Sequence, residues 1–280
     1  MKKNPPTMRF RNIAICAAAA IAATAAAQVP ARVQLARTPD VITEGRLRWV
    51  PSVSEYALEY KPNPNSANVV ETRYAPKDIL NMQVVKPANF EALSAQADGA
   101  TPDAAIPGLK KIISDYRMLE WDARAAAKIA MIYNKTQRWT DTVALGADMI
   151  KDNPAAAVKT DFAPYYWAAL IQTGKTDERL NKMIETAIAT APRPVAAAAL
   201  NIRGDILHKV DKKPKEALAD GYLRVALLYV SEKEANAEAL YKAATVFTEL
   251  NQSSYADKMR DRLTSAHSGS PWTKKLLGDK

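Results

Sequence analysis

Cysteine, glycine, histidine and aromatic residues are all scarce in this chain of 280 residues. The single cysteine, Cys16, excludes an intrachain disulfide and any thiolate cluster for a metal. Nine glycines form no glycine-rich phosphate-binding loop, and two histidines, His208 and His267, give no metal-ligand spacing. These shortages exclude several common classes of catalytic or cofactor site.

Alanine is abundant instead, with 52 residues, and the chain is 48% hydrophobic and 25% charged. This is the composition of a folded globular protein rather than of a disordered or collagen-like chain. Alanine has the best helix propensity and lets neighbouring backbones approach closely. We therefore expect a mainly α-helical protein with closely packed helices.

The N-terminus predicts a secretory signal peptide over residues 1–31. Basic residues at Lys2, Lys3, Arg9 and Arg11 precede an apolar stretch at 13–27 that is too short to span a bilayer. Small residues predict cleavage after Ala27 or Ala31, which directs the mature chain to the periplasm or outside the cell. No other stretch of the sequence has the length and apolarity of a membrane span.

Removal of this segment changes the charge and the chemistry of the protein. Cys16 is lost with the segment, and Ile15 directly before it does not fit a lipid-attachment signal. The four lost basic residues lower the formal net charge from +9 to +5. No basic block in the remainder is dense enough to indicate nucleic-acid binding.

Residues 32–44 are predicted to be a linker, and residues 45–87 a small β-rich module. The module contains short β-prone runs at 46–50, 56–60, 69–74 and 82–85, and the second and third are separated by a turn rich in proline and asparagine. The first run alternates between apolar and charged residues, which predicts a half-buried antiparallel sheet. So small a module has a marginal core, and we expect it to dock on the following helices.

Residues 88–280 are predicted to form helices up to a short C-terminal cap at about 271–277. Gly99, Asn153-Pro154, Gly174, Pro192 and Pro214 are among the residues that end or restart helices. The predicted helix pairs are 88–98 with 102–117, 121–135 with 138–152, 155–174 with 176–190, 194–210 with 214–230, and 235–250 with 252–266.

A repeat is visible in the first helices of these pairs. A small residue is followed three positions later by a larger one, with steps of 38, 36 and 40 residues between copies. The copies are Ala130 with Tyr133, Ala168 with Ile171, Gly204 with Leu207, and Ala244 with Phe247. Small residues let paired helices touch, and pairs that cannot bury both faces alone must stack into a solenoid.

At these residues, and at Ala217 and Ala256 in second helices, the chain resembles the tetratricopeptide repeat family over about 88–277. It departs from the family in its longer period, and in Thr142 and Leu180 where second helices carry alanine. The β-rich start resembles exported bacterial envelope proteins that carry such repeats. The resemblance implies a right-handed α-solenoid of about five helix pairs.

The resemblance also implies a concave wall built from first-helix positions. Asparagine and glutamine on such a wall suit recognition of an extended polypeptide, because amides both donate and accept hydrogen bonds. The residues predicted to bind a partner are Asn134, Tyr165, Gln172, Asn201, His208 and Tyr241.

The leading hypothesis is an exported, non-enzymatic scaffold or adaptor that binds a polypeptide in the cell envelope, without a cofactor or metal and without nucleic acid. An alternative is an accessory protein for envelope polysaccharide or peptidoglycan, with Trp49, Tyr56 and Tyr60 stacking on sugars. An enzyme is the third class. His208 three residues after Asp205 lacks a nucleophile, and the carboxylates of Asp211, Asp220, Glu232 and Glu234 alternate with lysines as on a solvated helix face.

Overall fold

The computed structural model describes residues 27–63, 65 and 67–278. Most of the signal-peptide prediction, including Cys16, therefore lies outside the described residues. The described chain is mostly helical and begins with a small five-stranded antiparallel sheet. Within it, no helix combines the length and apolarity needed to cross a membrane.

The sheet has the strand order β4-β3-β2-β1-β5, and every neighbouring pair is antiparallel. Alternate side chains face the core, as in β1, where Val29, Ala31, Val33 and Leu35 are buried. The prediction of a half-buried antiparallel sheet is confirmed. The strands are β1 Val29–Leu35, β2 Thr38–Val50, β3 Glu55–Tyr60, β4 Val70–Tyr74 and β5 Ile79–Val84.

The predicted linker at 32–44 is wrong, because these residues belong to β1 and β2. The β-rich module starts at Val29 rather than at residue 45, since β1 is the inner strand between β2 and β5. Cleavage after Ala31 would also remove Val29 and Ala31, two buried residues of this strand. Cleavage after Ala27 would leave the sheet whole.

The helices follow the predicted pairs with a few interruptions. Their bounds are α1 Phe90–Asp98, α2 Ile106–Asp115, α3 Trp121–Lys135, α4 Trp139–Asp152, α5 Ala156–Lys159, α6 Ala163–Gln172, α7 Glu178–Thr190, α8 Arg193–Asp205, α9 Pro214–Ala217, α10 Leu223–Leu228, α11 Lys233–Glu249, α12 Ser253–Ala266 and α13 Pro271–Leu277.

The predicted helix at 155–174 is broken between α5 and α6, where Thr160 is extended. Pro164 stands at the start of α6, and a proline disfavours helix in the residues before it because it lacks an N–H and crowds the preceding turn. Two further interruptions are π-helical turns, Ile206–Val210 after α8 and Leu218–Tyr222 between α9 and α10.

The helices pack in succession along the chain. The first helices of successive pairs, α3, α6, α8 and α11, contact one another in that order, and α4, α7 and α10 pack beside them. Two buried clusters fill the helical part, one extending from α1 to α8 and one from α8 to α13.

The sheet docks on the turn between α2 and α3. Leu119 is fully buried in the core of the sheet, and the Tyr56 hydroxyl donates to the Met118 carbonyl oxygen at 3.0 Å. Buried Asp122 accepts hydrogen bonds from the backbone N–H groups of Met118 and Ala123, each at 2.8 Å. These bonds fix a turn in which Met118 has a positive φ of 62°.

Candidate partner-binding groove

Asn134 connects neighbouring helices instead of facing a partner. Its Nδ2 donates to the Tyr165 carbonyl oxygen on α6 at 2.9 Å, and its Oδ1 accepts from the Thr142 hydroxyl on α4 at 2.7 Å. The Nδ2 and the Oδ1 of Asn134 thus each make a hydrogen bond within the fold, which orients the amide towards α4 and α6. Its structural role is to hold α3, α4 and α6 together.

Asn201 has the same role one step along the chain. It is only 1% exposed, so its prediction as a surface residue is wrong. Its Nδ2 donates to the Ala235 carbonyl oxygen on α11 at 2.9 Å and reaches Glu238 Oε2 at 3.3 Å. Its Oδ1 is buried and has no hydrogen-bond partner among the described residues.

His208 and Tyr241 are contacted by their own chain. His208 Nε2 lies 2.6 Å from Glu249 Oε2 at the end of α11. The Tyr241 ring lies 5.3 Å from the Trp272 ring of α13, with the Lys275 ammonium 5.1 Å from its centroid. Gln172, in contrast, is exposed. The structure therefore does not bring the six predicted residues together as one open surface.

The sixth predicted residue, Tyr165, lines an open groove of about 570 Å³ at the N-terminal ends of α6, α8 and α11. Helix α6 and the residues before it contribute Asp161, Pro164 and Tyr165. Helix α8 contributes the apolar floor. The other lining residues are Pro194, Val195, Ala198, Ser231, Glu232, Lys233, Glu234, Ala235 and Glu238.

The groove carries four carboxylates and one ammonium group. Glu238 is paired with Lys242 at 2.6 Å, and Glu232 is paired with Arg193 at 3.2 Å. Asp161 and Glu234 are exposed, and no basic side chain in the described residues lies within ion-pair distance of either. The negative charge of these two is thus available to a partner.

The pKa of Tyr165 is affected by the carboxylates of the groove. Partial burial raises the pKa of its hydroxyl, and the nearby carboxylates of Glu234, Asp161, Asp98 and Glu238 raise it further. The phenol is therefore protonated at neutral pH and can donate a hydrogen bond into the groove. Its apolar ring offers a surface against which an aliphatic chain or a cation can pack.

Behind the groove lies a buried charged cluster. Lys242 donates to Asp205 Oδ2 and pairs with Glu238 Oε1, each at 2.6 Å, and the Tyr222 hydroxyl donates to Asp205 Oδ1 at 2.8 Å. Asn201 joins the cluster through Glu238. The two π-helical turns flank it, since one directly follows Asp205 and the other contains Tyr222.

The protonation states of this cluster follow from its geometry. Burial opposes the charge of Lys242, but the carboxylates of Glu238 and Asp205 outweigh this and raise its pKa. Burial likewise opposes the charge of Asp205, yet Lys242 and Lys209 hold its pKa below the usual value. Burial and Asp205 raise the pKa of Tyr222. At neutral pH Lys242 is an ammonium ion, which is neither a nucleophile nor a base.

A larger cleft of about 1060 Å³ lies between the end of β2 and helices α2 to α4. Its arginines are paired: Arg117 with Asp148 and Asp152 at 2.9 Å each, and Arg138 with Asp141 at 2.7 Å. The charges that line it therefore largely neutralise one another, unlike those of the groove.

The aromatic residues suggested for sugar stacking do not form an open platform. Trp49 is 3% exposed and Tyr56 is 6% exposed, and their rings pack edge-to-face with centroids 4.9 Å apart. A sugar ring needs an accessible aromatic face, so these two cannot stack on polysaccharide. Tyr60 alone of the three is partly exposed.

The sequence alone does not single out the groove carboxylates: Asp161 and Glu238 carry no motif, and Glu232 and Glu234 are interpreted from the sequence as a solvated helix face. Their alternation with lysine indicates a solvated helix face, which is correct for α11 taken alone. These carboxylates lie near Tyr165 because α6, α8 and α11 pack side by side. No local sequence pattern predicts that packing.

Across residues 27–278 as described, no group of three or more histidine, cysteine, aspartate or glutamate side chains is arranged to hold a metal ion. Comparison of the chain with protein-family models, with curated proteins and with solved structures finds no match.

Proposed function

We propose that this chain is an exported, non-enzymatic scaffold that binds a polypeptide partner rich in lysine or arginine. The helical part is interpreted as a right-handed α-solenoid of the tetratricopeptide type, and the acidic groove at α6, α8 and α11 is its recognition surface. The observation that carries the proposal is the unpaired negative charge of Asp161 and Glu234 beside Tyr165.

The groove is acidic although the chain is basic. The formal net charge of the full sequence is +9, so a cluster of free carboxylates is not a consequence of composition. A cationic segment is repelled by the average surface and attracted to the groove, and such a local field favours correct docking. Charge thus gives the surface specificity as well as affinity.

The dimensions suit an extended segment. Packed helices lie about 8–10 Å apart, so a groove that crosses three of them spans about 16–20 Å. At roughly 3.3 Å per residue, this accommodates about five or six residues of extended chain. Pro164, Val195 and Ala198 give an apolar floor for the aliphatic parts of lysine and arginine side chains.

The binding test uses a fluorescein-labelled peptide of alternating lysine and alanine, followed by fluorescence anisotropy. The double variant Asp161→Asn/Glu234→Gln should bind it about three- to tenfold more weakly, as expected for two partly exposed ion pairs. The control Glu185→Gln/Asp220→Asn removes the same charge from exposed sites that do not line the groove. A peptide of alternating glutamate and alanine should not bind.

Equal binding of the peptide to the groove variant and to its control would reject the groove. Export is tested separately by mass spectrometry of the protein recovered from an envelope fraction. The expected N-terminus is Gln28, because cleavage after Ala27 leaves β1 intact. Recovery of the uncleaved chain from the cytoplasm would reject export while leaving the groove in place.

A further inference from the structure

Three large apolar side chains lie on the surface where α10 ends. Leu227 is 58% exposed, Leu228 is 61% exposed and Val230 is 55% exposed, whereas the two residues directly before them are buried. Single exposed apolar residues are common on soluble proteins, but a group of them marks an interaction site. We call residues 227–230 the apolar turn.

Arg193 of α8 holds the apolar turn from one side. Its guanidinium group donates a hydrogen bond to the Leu228 carbonyl oxygen and lies 4.6 Å from the centroid of the Tyr229 ring. The same group pairs with Glu232, just beyond the turn, at 3.2 Å. One side chain of a neighbouring helix thus connects the apolar turn to the start of α11.

Two further helices bind the end of α10. Asn236 Nδ2 on α11 donates to the carbonyl oxygens of Val225 at 3.0 Å and Ala226 at 3.3 Å. Arg262 on α12 donates to the Ala226 carbonyl oxygen at 3.1 Å. The last carbonyl groups of a helix have few partners within the helix, so bonds from neighbouring side chains stabilise its end. The apolar turn is therefore held in place although its own apolar side chains are exposed.

The apolar turn is continuous with the acidic groove. Val230 directly precedes Ser231, and Ser231 lines the groove together with Glu232. Arg193 contacts both parts, because it bonds to the Leu228 carbonyl oxygen and to Glu232. A segment that leaves the groove at this end can therefore extend onto the apolar turn.

Charge differs between the two parts of this surface. The groove has the unpaired carboxylates of Asp161 and Glu234, whereas residues 227–230 include no charged side chain. Arg193 contacts the turn, and Arg224 lies one helical turn before its first residues. These basic groups repel a lysine or arginine of a partner from the turn. A partner's basic residues therefore belong in the groove, and its apolar residues on the turn.

We propose that the partner segment has two parts, a basic stretch that occupies the groove and, next to it, two or more apolar residues that cover the apolar turn. The inference rests on the proposed function, since the groove must bind the basic stretch. Because three helices already fix the turn, binding orders few of its groups, and a pre-ordered surface loses less entropy on association. Contact with the partner removes the exposed faces of Leu227, Leu228 and Val230 from water.

The first test extends the lysine–alanine peptide of the groove experiment by two leucines, at either its N-terminus or its C-terminus. One of the two extended peptides should bind about tenfold more tightly than the unextended peptide, because burial of apolar area at the turn favours the complex. Extension by two serines gives the same length without the apolar area, and it should leave the dissociation constant within about twofold.

The second test locates the gain on the molecule. In Leu227→Gln/Leu228→Gln the leucine extension should no longer tighten binding, and the unextended peptide should bind as it does to wild type. The control Val41→Gln/Ile42→Gln replaces two apolar residues of β2 with comparable exposure, 54% and 62%, and it should keep the gain. Circular dichroism of each variant checks that the fold is retained.

A leucine extension that gives no gain at either end would overturn the proposal, and so would a gain that survives Leu227→Gln/Leu228→Gln. In both cases the unextended peptide still tests the groove alone. If the unextended peptide fails to bind wild type, the groove itself is rejected, and this inference with it. A wild-type dimer in sedimentation velocity that the double variant dissociates would assign the apolar turn to a second copy, and would likewise overturn the proposal.

Discussion

Alanine in place of Gly221 pushes a methyl group into the backbone of the neighbouring helix. The added Cβ would lie 2.6 Å from Gly204 Cα, 2.8 Å from Gly204 N and 3.1 Å from the Leu200 carbonyl oxygen. These are backbone atoms of α8, so no side-chain rotation can relieve the overlap. The two helices must separate, which disturbs Tyr222 and its hydrogen bond to Asp205.

The magnitude follows from two opposing effects. Alanine is favoured over glycine in a helix by about 1 kcal/mol, whereas overpacking costs about 1–3 kcal/mol and more when the backbone must move. Because backbone atoms of α8 must move, the cost lies at the upper end, about 3 kcal/mol, and we expect a net loss of about 2 kcal/mol in the free energy of unfolding. For a chain of this size, that corresponds to a fall of about 4–8 °C in melting temperature.

Urea denaturation monitored by circular dichroism measures this change, with Gly269→Ala as the matched control. Gly269 has no other atom within 4 Å of an added Cβ and no positive φ, so its substitution should change stability by at most about 0.5 kcal/mol. If Gly221→Ala is as stable as wild type while the control behaves as expected, the close contact between α8 and the turn at Leu218–Tyr222 is not the constraint described above.

Three further changes test other contacts by denaturation. Asn134→Ala should cost about 1–3 kcal/mol because it leaves the Tyr165 carbonyl and the Thr142 hydroxyl without their partner, whereas Gln172→Ala, at an exposed site, should stay within about 0.5 kcal/mol. Lys242→Met should cost about 3–5 kcal/mol, since it takes the ammonium group away from Glu238 and from the buried Asp205, which keeps only the longer contact with Lys209 at 3.7 Å. The folded pKa of Asp205 is depressed, so the wild type should lose stability as pH falls below about 3.8. Burial and Asp122 raise the pKa of Tyr56 to about 12, so wild-type stability should fall as pH rises from about 10 to 12. Tyr56→Phe should make that fall smaller, and the remainder comes from the other tyrosines with a raised pKa, such as Tyr222.

Much of the helical part is predictable from local sequence. The bounds of α3, 121–135, agree with the prediction, and the cap at 271–277 corresponds to α13, which has Ser270 and Pro271 at its start and Gly278 at its end. The break before α6 was missed although Pro164 marks it. The π-helical turns have no such marker, since they depend on how α8 and α10 pack around Tyr222.

The missed strand β1 shows how one prediction constrains another. The run Val29–Leu35 alternates between buried and exposed residues and could be recognised as a strand from its sequence. A signal peptide that extends to Ala31 removes half of that pattern from the mature chain, and the residues that remain predict only a linker. A cleavage site after Ala27 is compatible with both the small residues before it and the strand after it.

The two predicted asparagines show why a residue type that suits partner binding does not by itself identify the binding surface. An amide that can bind an extended partner can equally bind the backbone of the next helix, and packing decides between the two. Asn134 and Asn201 lie where successive first helices approach each other, so the nearest carbonyl groups are those of Tyr165 and Ala235. A buried carbonyl satisfied within the fold is stabilising with or without a partner. The carboxylates of Asp161 and Glu234 differ from these amides, because neither has a counter-ion among the described residues. For the proposed partner, unpaired charge is therefore a better guide to the binding surface than amide-rich positions.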